Sequence, residues 1–201
     1  VFAEAAMHTP VEVTARALQA FAAVGADSVI ALGGGSTIGL GKAIAMDSGL
    51  PIVAIPTTYA GSEMTPIYGL TENRLKKTGR DPRVLPKTVI YDPQLTLTLP
   101  VQISACSGMN AMAHAVEALY AQDANPIIGF MAEESIRSLA LALPGVVNDP
   151  QDPEARSLAL YGAWLAGICL GSVGMALHHK LCHTLGGTFD LPHAQAHAIV
   201  L

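Results

Sequence analysis

The chain has 201 residues, a formal net charge of −5, and a composition that is 51% hydrophobic and only 13% charged. The net negative charge argues against nucleic acid as the main ligand. The high apolar content predicts a large core or a surface that a partner covers. The three cysteines, Cys106, Cys169 and Cys182, are odd in number and widely spaced, which predicts a reducing, cytoplasmic setting and no disulfide scaffold.

Both ends of the sequence suggest a piece of a longer protein. The first residue is Val1, and no basic segment after it resembles a secretory signal. The last residue, Leu201, stands inside an apolar run. We therefore expect further sequence on either side.

The first predicted helix begins at Thr9 to Glu12. Thr9 is a potential N-cap, Pro10 suits the first turn, and Glu12 is placed to complete a capping box with Thr9. The helix is predicted to run to about Val24 and to end at Gly25.

A strand, a glycine turn and a helix follow in immediate succession. Residues 28–32 form a short apolar run typical of a buried parallel strand, and residues 38–46 form a helical pattern. Between them stand Gly33, Gly34, Gly35 and Ser36. Glycines here let an anion approach the backbone N–H groups at the helix N-terminus, so the segment predicts a phosphate cradle. A tight β–α turn without a ligand is the alternative.

The exit from the second predicted strand, residues 51–55, is rich in hydroxyl groups. It carries Thr57, Thr58 and Ser62, and such groups at the carboxyl end of a parallel strand suit ligand contact. An ordinary polar loop is the alternative. A basic cluster at residues 76–83 is predicted to be solvated, and residues 89–92 read as a third strand.

The pattern becomes helical near Pro100, where we place a domain boundary between residues 1–100 and residues 101–201. Helices are predicted over 102–121, 126–143 and 153–177. The uncharged run 157–177 is long enough for a membrane span, but its four glycines favour a buried helix. The segment from His178 continues or restarts this helix, Gly186 and Gly187 are predicted to end it, and Pro192 to open the next.

Histidines concentrate in one stretch, because five of the seven lie between His178 and His197. A sixth, His114, stands four residues after Asn110, and His179 and His183 have the same spacing. On helices each pair shares one face. The pattern predicts a metal, acid–base or anion site.

These motifs occur in one order along the chain: Gly33–Ser36, Pro56–Thr58 with Gly61–Glu63, Gly108–Asn110 with His114, and His179 with His183 and His193. In this combination the sequence resembles the iron-containing (group III) alcohol dehydrogenase family. The resemblance implies an N-terminal α/β nucleotide-binding domain with a Rossmann-like parallel sheet, followed by an all-helical domain. The chain would then lack the first strands and part of the helical domain.

The resemblance also implies roles for individual residues. The family's metal ligands fall on Asn110, His114, His179 and His193, and His183 falls where a histidine lies near the nicotinamide. Catalytic roles are implied for His114, His179, His183 and His193. Cofactor contacts are implied for Gly33, Gly34, Gly35, Ser36, Thr57, Thr58 and Ser62. His178 and His197 match no ligand and are predicted to lie on a helix surface or beside the ligands.

Within the family, the maleylacetate-reducing branch is most similar. Asn110 stands where metal-dependent members have Asp, residues 78–86 resemble that branch's loop, and the helix after the glycine turn lacks the family's common acidic residue. The likeness implies reduction of the C=C bond of maleylacetate to 3-oxoadipate, with NADH or NADPH, in aromatic-compound degradation. It also implies a small dicarboxylate substrate, a cytoplasmic homodimer, and no nucleic-acid or membrane partner.

Asn110 bears on the metal, because replacing Asp by Asn removes a negative charge and leaves a weak carbonyl ligand. Three histidines can still hold zinc, so a divalent Fe or Zn ion is possible but is not expected to be required. Two alternatives remain open. One is a metal-dependent alcohol or polyol dehydrogenase of the same family, and the other is a non-catalytic metal-binding or membrane helical protein.

Overall fold

A computed structural model describes residues 1–72, 75–189 and 193–201, without the side chains of residues 75, 76, 183, 186–188, 193 and 194. The chain divides into two compact units. Unit 1 comprises Val1–Thr57 and Ser62–Tyr91, and unit 2 comprises Thr58–Gly61 and Asp92–Leu201. Each unit is described by itself below.

Unit 1 combines two helices, a parallel sheet and an antiparallel hairpin. Its elements in chain order are α1 (Val11–Ala23), β1 (Val29–Gly33), α2 (Gly35–Ser48), β2 (Ile52–Pro56), β3 (Ile67–Glu72), β4 (Leu75–Arg80) and β5 (Thr88–Val89). Short 3-10 helices cover Ser62–Met64 and Pro82–Val84.

The sheet is parallel, as the sequence predicted for this half of the chain. Its strand order is β1-β2-β5. In its register Gly33 lies opposite Pro56, so the turn after β1 and the loop after β2 start side by side. One face of the sheet packs on α2 through Ala31, Ile38, Ala45, Ile52 and Ala54. The prediction that β1 is wholly buried is wrong, because Ile30 and Leu32 point away from that core and are exposed.

The start of α1 differs from the prediction. The N-cap is Pro10, and no side chain caps the helix, so the predicted capping box from Thr9 to Glu12 does not form. Thr9 is buried with a φ of 47°, and its carbonyl accepts a hydrogen bond from Thr71 N. Thr9 therefore joins this segment to β3 and does not cap α1.

The β3–β4 hairpin was not predicted. Its strands pair antiparallel from Ile67 opposite Arg80 to Glu72 opposite Leu75, and the connecting residues lie outside the described part. The third strand of the parallel sheet is short, Thr88–Val89, where a strand over 89–92 was expected, because Pro93 begins a 3-10 helix over Pro93–Thr96.

Unit 2 contains five helices within its described residues: α3 (Val101–Tyr120), α4 (Pro126–Asn148), α5 (Pro153–Ser172), α6 (Leu177–Phe189) and α7 (His193–Val200). Asn125 caps α4 through Ile128 N, and Asp152 caps α5 through Glu154 N and Ala155 N. Small residues let the helices approach closely, since a Cβ at Gly162 would lie 2.7 Å from Leu139 Cγ.

The predicted helix over 153–177 is two helices, because α5 ends at Ser172 and α6 begins at Leu177. The histidine segment therefore restarts the helix. Gly186 and Gly187 lie inside α6, which runs to Phe189, so the prediction that they end it is wrong. Pro192 lies outside the described residues. In the described part of the chain, no helix has the length and apolarity that a membrane crossing needs.

Candidate active site

The glycine turn of unit 1 leads directly from β1 into α2. Gly33 has a φ of 152°, and a Cβ there would lie 2.4 Å from Thr37 Oγ1, so glycine is needed for the fold itself. At Gly35 a Cβ would meet no heavy atom within 4 Å. Gly33 therefore shapes the turn, whereas Gly35 keeps the space in front of the helix clear.

The N-terminus of α2 suits an anion. The helix begins at Gly35, its N-cap Gly34 has no side chain, and its first turn carries no acidic residue. The helix dipole places partial positive charge at this end, where backbone N–H groups point outward. The cradle therefore fits the pyrophosphate of a nicotinamide dinucleotide, the cofactor that the resemblance implies.

The hydroxyl-bearing loop after β2 is distributed over both units. Thr57 N donates to Gly33 O at 3.0 Å, which fixes Thr57 beside the glycine turn. Thr58 belongs to the short segment of unit 2. Ser62 begins a 3-10 helix in unit 1. The structure thus brings Thr57 to the glycine turn, and it places Ser62 against another residue, Lys42.

Lys42 of α2 is a buried cation that the sequence reasoning missed. Its ammonium group contacts Ser62 O at 2.6 Å, Thr65 O at 2.9 Å and Ile67 O at 2.7 Å. Its side chain is 1% exposed, and burial lowers the pKa of Lys42 to about 7, against the opposing effect of the Glu63 charge. The sequence did carry a sign of this burial, because Lys42 is the one charged residue in an apolar stretch with Gly41, Ala43 and Ile44.

Glu63 completes this polar group. It is 1% exposed, and burial raises the pKa of Glu63 while the Tyr91 hydroxyl, which donates to it at 2.9 Å, and Lys42 act in the opposite direction. Burial and the Glu63 charge raise the pKa of Tyr91. Through its contacts with three carbonyl groups, Lys42 fixes the backbone of the Ser62–Ile67 segment.

In unit 2, α3 presents three buried polar side chains on one face: Asn110, His114 and Glu117. Asn110 Nδ2 lies 3.4 Å from His114 Nε2. Glu117 is fully buried and was also missed by the sequence reasoning. The signal was present, because Glu117 is the one charged residue of α3 and stands three positions after His114.

Glu117 fixes His179 of α6. One carboxylate oxygen accepts from the backbone N–H groups of Ala176 and His179, each at 3.0 Å. The other forms a short hydrogen bond with His179 Nδ1. A carboxylate on one ring nitrogen sets the tautomer and the ring orientation, so Glu117 directs His179 Nε2 away from itself.

Two further histidines join this cluster. His178 and His197 are 8% and 0% exposed, and their Nε2 and Nδ1 atoms lie 3.1 Å apart. The ring centroids of His179 and His197 are 4.5 Å apart. Of the two positions predicted for His178 and His197, the helix surface is wrong and the position beside the ligands is observed, because α7 packs against both α3 and α6 and buries both rings beside His179.

His183 and His193 remain predictions. Their backbones lie in α6 and α7, but their side chains lie outside the described part of the structure. The structure thus brings together Asn110, His114 and His179 of the predicted set, and adds Glu117, His178 and His197.

The described members of the predicted metal set lie close together on α3 and α6. The rings of His114 and His179 are stacked, with centroids 4.6 Å apart and planes 23° apart. The amide group of Asn110 faces His114 Nε2, and none of these three side chains supplies the negative charge of a carboxylate ligand.

Comparison with known proteins identifies the family. An iron-containing alcohol dehydrogenase model matches residues 1–93, and the C-terminal model of the Fe-containing alcohol dehydrogenase family matches residues 104–201. Maleylacetate reductase from Rhizobium sp. (strain MTP-10005) is 65% identical over 201 residues, which are 100% of this chain and 57% of that protein. The chain therefore spans little more than half the length of this relative.

Solved structures of similar fold support the same family. The crystal structure of maleylacetate reductase from Rhizobium sp. strain MTP-10005 superposes with a TM-score of 0.96 at 65% identity, covering 99% of this chain and 57% of that one. Sulfoacetaldehyde reductase from Bifidobacterium kashiwanohense in complex with NAD+ has a TM-score of 0.92 at 26% identity, covering 98% and 58%. With both family models, the glycine turn and the histidine cluster in agreement, the chain belongs to the iron-containing alcohol dehydrogenase family.

Proposed function

We propose that the protein to which this chain belongs reduces the C=C bond of maleylacetate to 3-oxoadipate with NADH or NADPH. The observation that carries the proposal is the buried group of Asn110, His114 and His179, in which an amide stands where metal-dependent relatives have a carboxylate. A cluster without that negative charge suits a dianionic substrate. The 65% identity to a maleylacetate reductase supports the same assignment.

Unit 1 is proposed to bind the cofactor. The backbone of Gly33, Gly34, Gly35 and Ser36 would hold the pyrophosphate at the N-terminus of α2, and Thr57, Thr58 and Ser62 would contact the remainder. The cofactor, when bound, supplies the hydride. The presence of NAD+ in a relative of 26% identity supports a nicotinamide.

Unit 2 is proposed to bind the substrate and to move the proton. Addition of a hydride to the C=C bond pushes its electron pair onto the conjugated ketone oxygen, which gives an enolate. The enolate then takes a proton on carbon. Imidazole N–H groups stabilise such an oxyanion when they are fixed beforehand. His114 and His179 are proposed as these donors, where His179 donates from Nε2 as an imidazolium whose Nδ1–H is held by Glu117, and His183 and His193 are proposed as further catalytic residues.

Several wider features belong to the same proposal. The activity would not require a metal, because the charge that develops is an enolate that hydrogen-bond donors can stabilise. Residues 1–100 would form the cofactor domain and residues 101–201 the substrate domain. Free Cys106, Cys169 and Cys182 support a cytoplasmic location. A homodimer is proposed by analogy with the family.

The test is NADH and NADPH oxidation by the purified full-length protein, with maleylacetate compared against simple aldehydes. We expect turnover of maleylacetate that survives EDTA. Reduction of aldehydes only, or activity that depends on added Fe²⁺ or Zn²⁺, would instead favour a metal-dependent alcohol dehydrogenase.

A further inference from the structure

A second group of potential metal ligands lies within the histidine cluster of unit 2. His178 and Cys182 stand one turn apart on α6, and His197 comes from α7. Each is buried, with exposures of 8%, 1% and 0%. The sequence pattern assigned none of them a ligand role, and the ligand positions of the family fall elsewhere.

Two of the three distances within this group are close to those around one small ion. His178 Nε2 lies 3.1 Å from His197 Nδ1 and 3.6 Å from Cys182 Sγ, and the three ligand atoms all lie within 4.8 Å of one another. Tetrahedral zinc, with Zn–N near 2.05 Å and Zn–S near 2.3 Å, requires separations of about 3.3 Å between nitrogens and about 3.6 Å between nitrogen and sulfur.

The donor chemistry also favours this group over the Asn110 set. A cysteine ligates as thiolate and contributes a negative charge, whereas Asn110, His114 and His179 contribute none. Burial and the Glu117 charge raise the pKa of the Cys182 thiol, so the thiolate forms only when a cation binds and compensates its charge.

We propose that His178, Cys182 and His197 form a binding site for a divalent cation of the zinc class, distinct from the family's ligand positions. Three protein ligands leave the fourth tetrahedral position for water. Without the ion, one imidazole donates to the other across the 3.1 Å contact. With the ion, that ring carries its proton on its other nitrogen, and the Cys182 thiol releases one proton per ion bound.

Co²⁺ provides the test, because it occupies zinc sites and gives a near-ultraviolet thiolate-to-cobalt absorption band when a cysteine ligates. The purified, reduced full-length protein is titrated with Co²⁺. We expect a band that saturates at one ion per chain and disappears when Zn²⁺ competes. Because the readout is optical, the result does not depend on the proposed reductase activity.

Cys182→Ser is the informative variant, and Cys169→Ser is its matched control, since Cys169 is equally buried in unit 2. Loss of a residue that only hydrogen-bonds to a metal ligand already lowers metal affinity about 10- to 100-fold. We therefore expect Cys182→Ser, which removes a ligand, to lower Co²⁺ affinity at least about 100-fold and to abolish the band. Cys169→Ser should keep it.

Two results would overturn the proposal: no thiolate band in the wild-type protein, or a band that persists in folded Cys182→Ser. If Cys182→Ser does not fold, cadmium NMR of the wild-type protein replaces it, because the chemical shift of bound Cd²⁺ reports thiolate ligation. A shift without sulfur ligation would reject the site, and a shift typical of one thiolate would support it.

Discussion

The two units present different chemical groups to a ligand. Unit 1 presents backbone, with the glycine turn and the N-terminus of α2, and its buried cation, Lys42, holds a loop and not a substrate. Unit 2 presents buried titratable side chains, among them Glu117, His114 and His179. We therefore expect ligand binding in unit 1 to be sensitive to added atoms that block the backbone, whereas the chemistry of unit 2 should be sensitive to lost or altered charges.

Lys42→Met should cause the largest loss of stability. It leaves the carbonyl groups of Ser62, Thr65 and Ile67 without the cation that now contacts them. A buried acceptor that loses its donor costs about 1–3 kcal/mol, and three carbonyl groups are affected, so we expect a fall in the free energy of unfolding of about 3 kcal/mol or more. Urea unfolding measures it, with exposed Lys87→Met as control. A change below about 1 kcal/mol would contradict the role given to Lys42.

Glu117→Gln should strongly reduce turnover. Glutamine keeps the shape and can still accept from the backbone, but it loses the carboxylate that fixes His179 Nδ1. Loss of acid–base function of this kind costs about 10²–10⁴-fold in rate, and we expect kcat to fall by about 100-fold with little change in KM. Steady-state kinetics decide the matter, with exposed Glu133→Gln as control. A rise in KM alone would mean that Glu117 serves binding and not positioning.

The Lys42 group should also make stability depend on pH. Burial lowers the pKa of Lys42 to about 7 in the folded chain, below its ordinary value of 10.5, so between these values the unfolded chain holds the proton and the folded chain does not. The free energy of unfolding should therefore rise with pH in this window, relative to Lys42→Met, by at most about 1.4 kcal/mol per pH unit. Urea unfolding at pH 7 and pH 9 tests the sign, and an unchanged difference would show that Lys42 stays charged in the folded chain.

Gly35→Ala should have a smaller and more specific effect. The new Cβ meets no atom of the chain, so folding should be kept, but it enters the space proposed for the pyrophosphate. We expect NADH affinity to fall about tenfold, or about 1.4 kcal/mol. Gly129→Ala, where a Cβ also meets nothing within 4 Å, is the control. Unchanged NADH binding in folded Gly35→Ala would remove the cofactor from this turn.

The features predicted well from the sequence were local ones. The β1–turn–α2 unit follows from a short apolar run, adjacent glycines and a helical pattern, all within twenty residues. In unit 2, helices were predicted from their periodicity over 102–121, 126–143 and 153–177, and α3, α4 and α5 lie in these regions, although α5 ends earlier, at Ser172. The Asn110–His114 pair on one helix face follows from spacing alone.

The features that were missed depend on distant partners. Lys42 binds carbonyl groups 20 to 25 residues away, and Glu117 binds His179 across 62 residues, so neither contact has a local signature. The burial of His178 and His197 depends on the packing of α7. The β3–β4 hairpin was missed because its residues, with Gly69 and Gly79, show no clear alternation of apolar side chains.

We infer that a cluster with Asn110 in place of a carboxylate binds a dianionic substrate and that its reduction requires no metal. The most direct measurement is kcat/KM for maleylacetate, with and without EDTA, for the wild-type protein and Asn110→Asp. The added carboxylate repels the substrate by on the order of 4 kcal/mol at 4 Å and an effective dielectric of 20, less after screening. We expect the wild-type activity to be unchanged by EDTA, and we expect Asn110→Asp to have a lower kcat/KM for maleylacetate than the wild-type protein. Wild-type activity that disappears in EDTA and returns with Fe²⁺ or Zn²⁺ would contradict it.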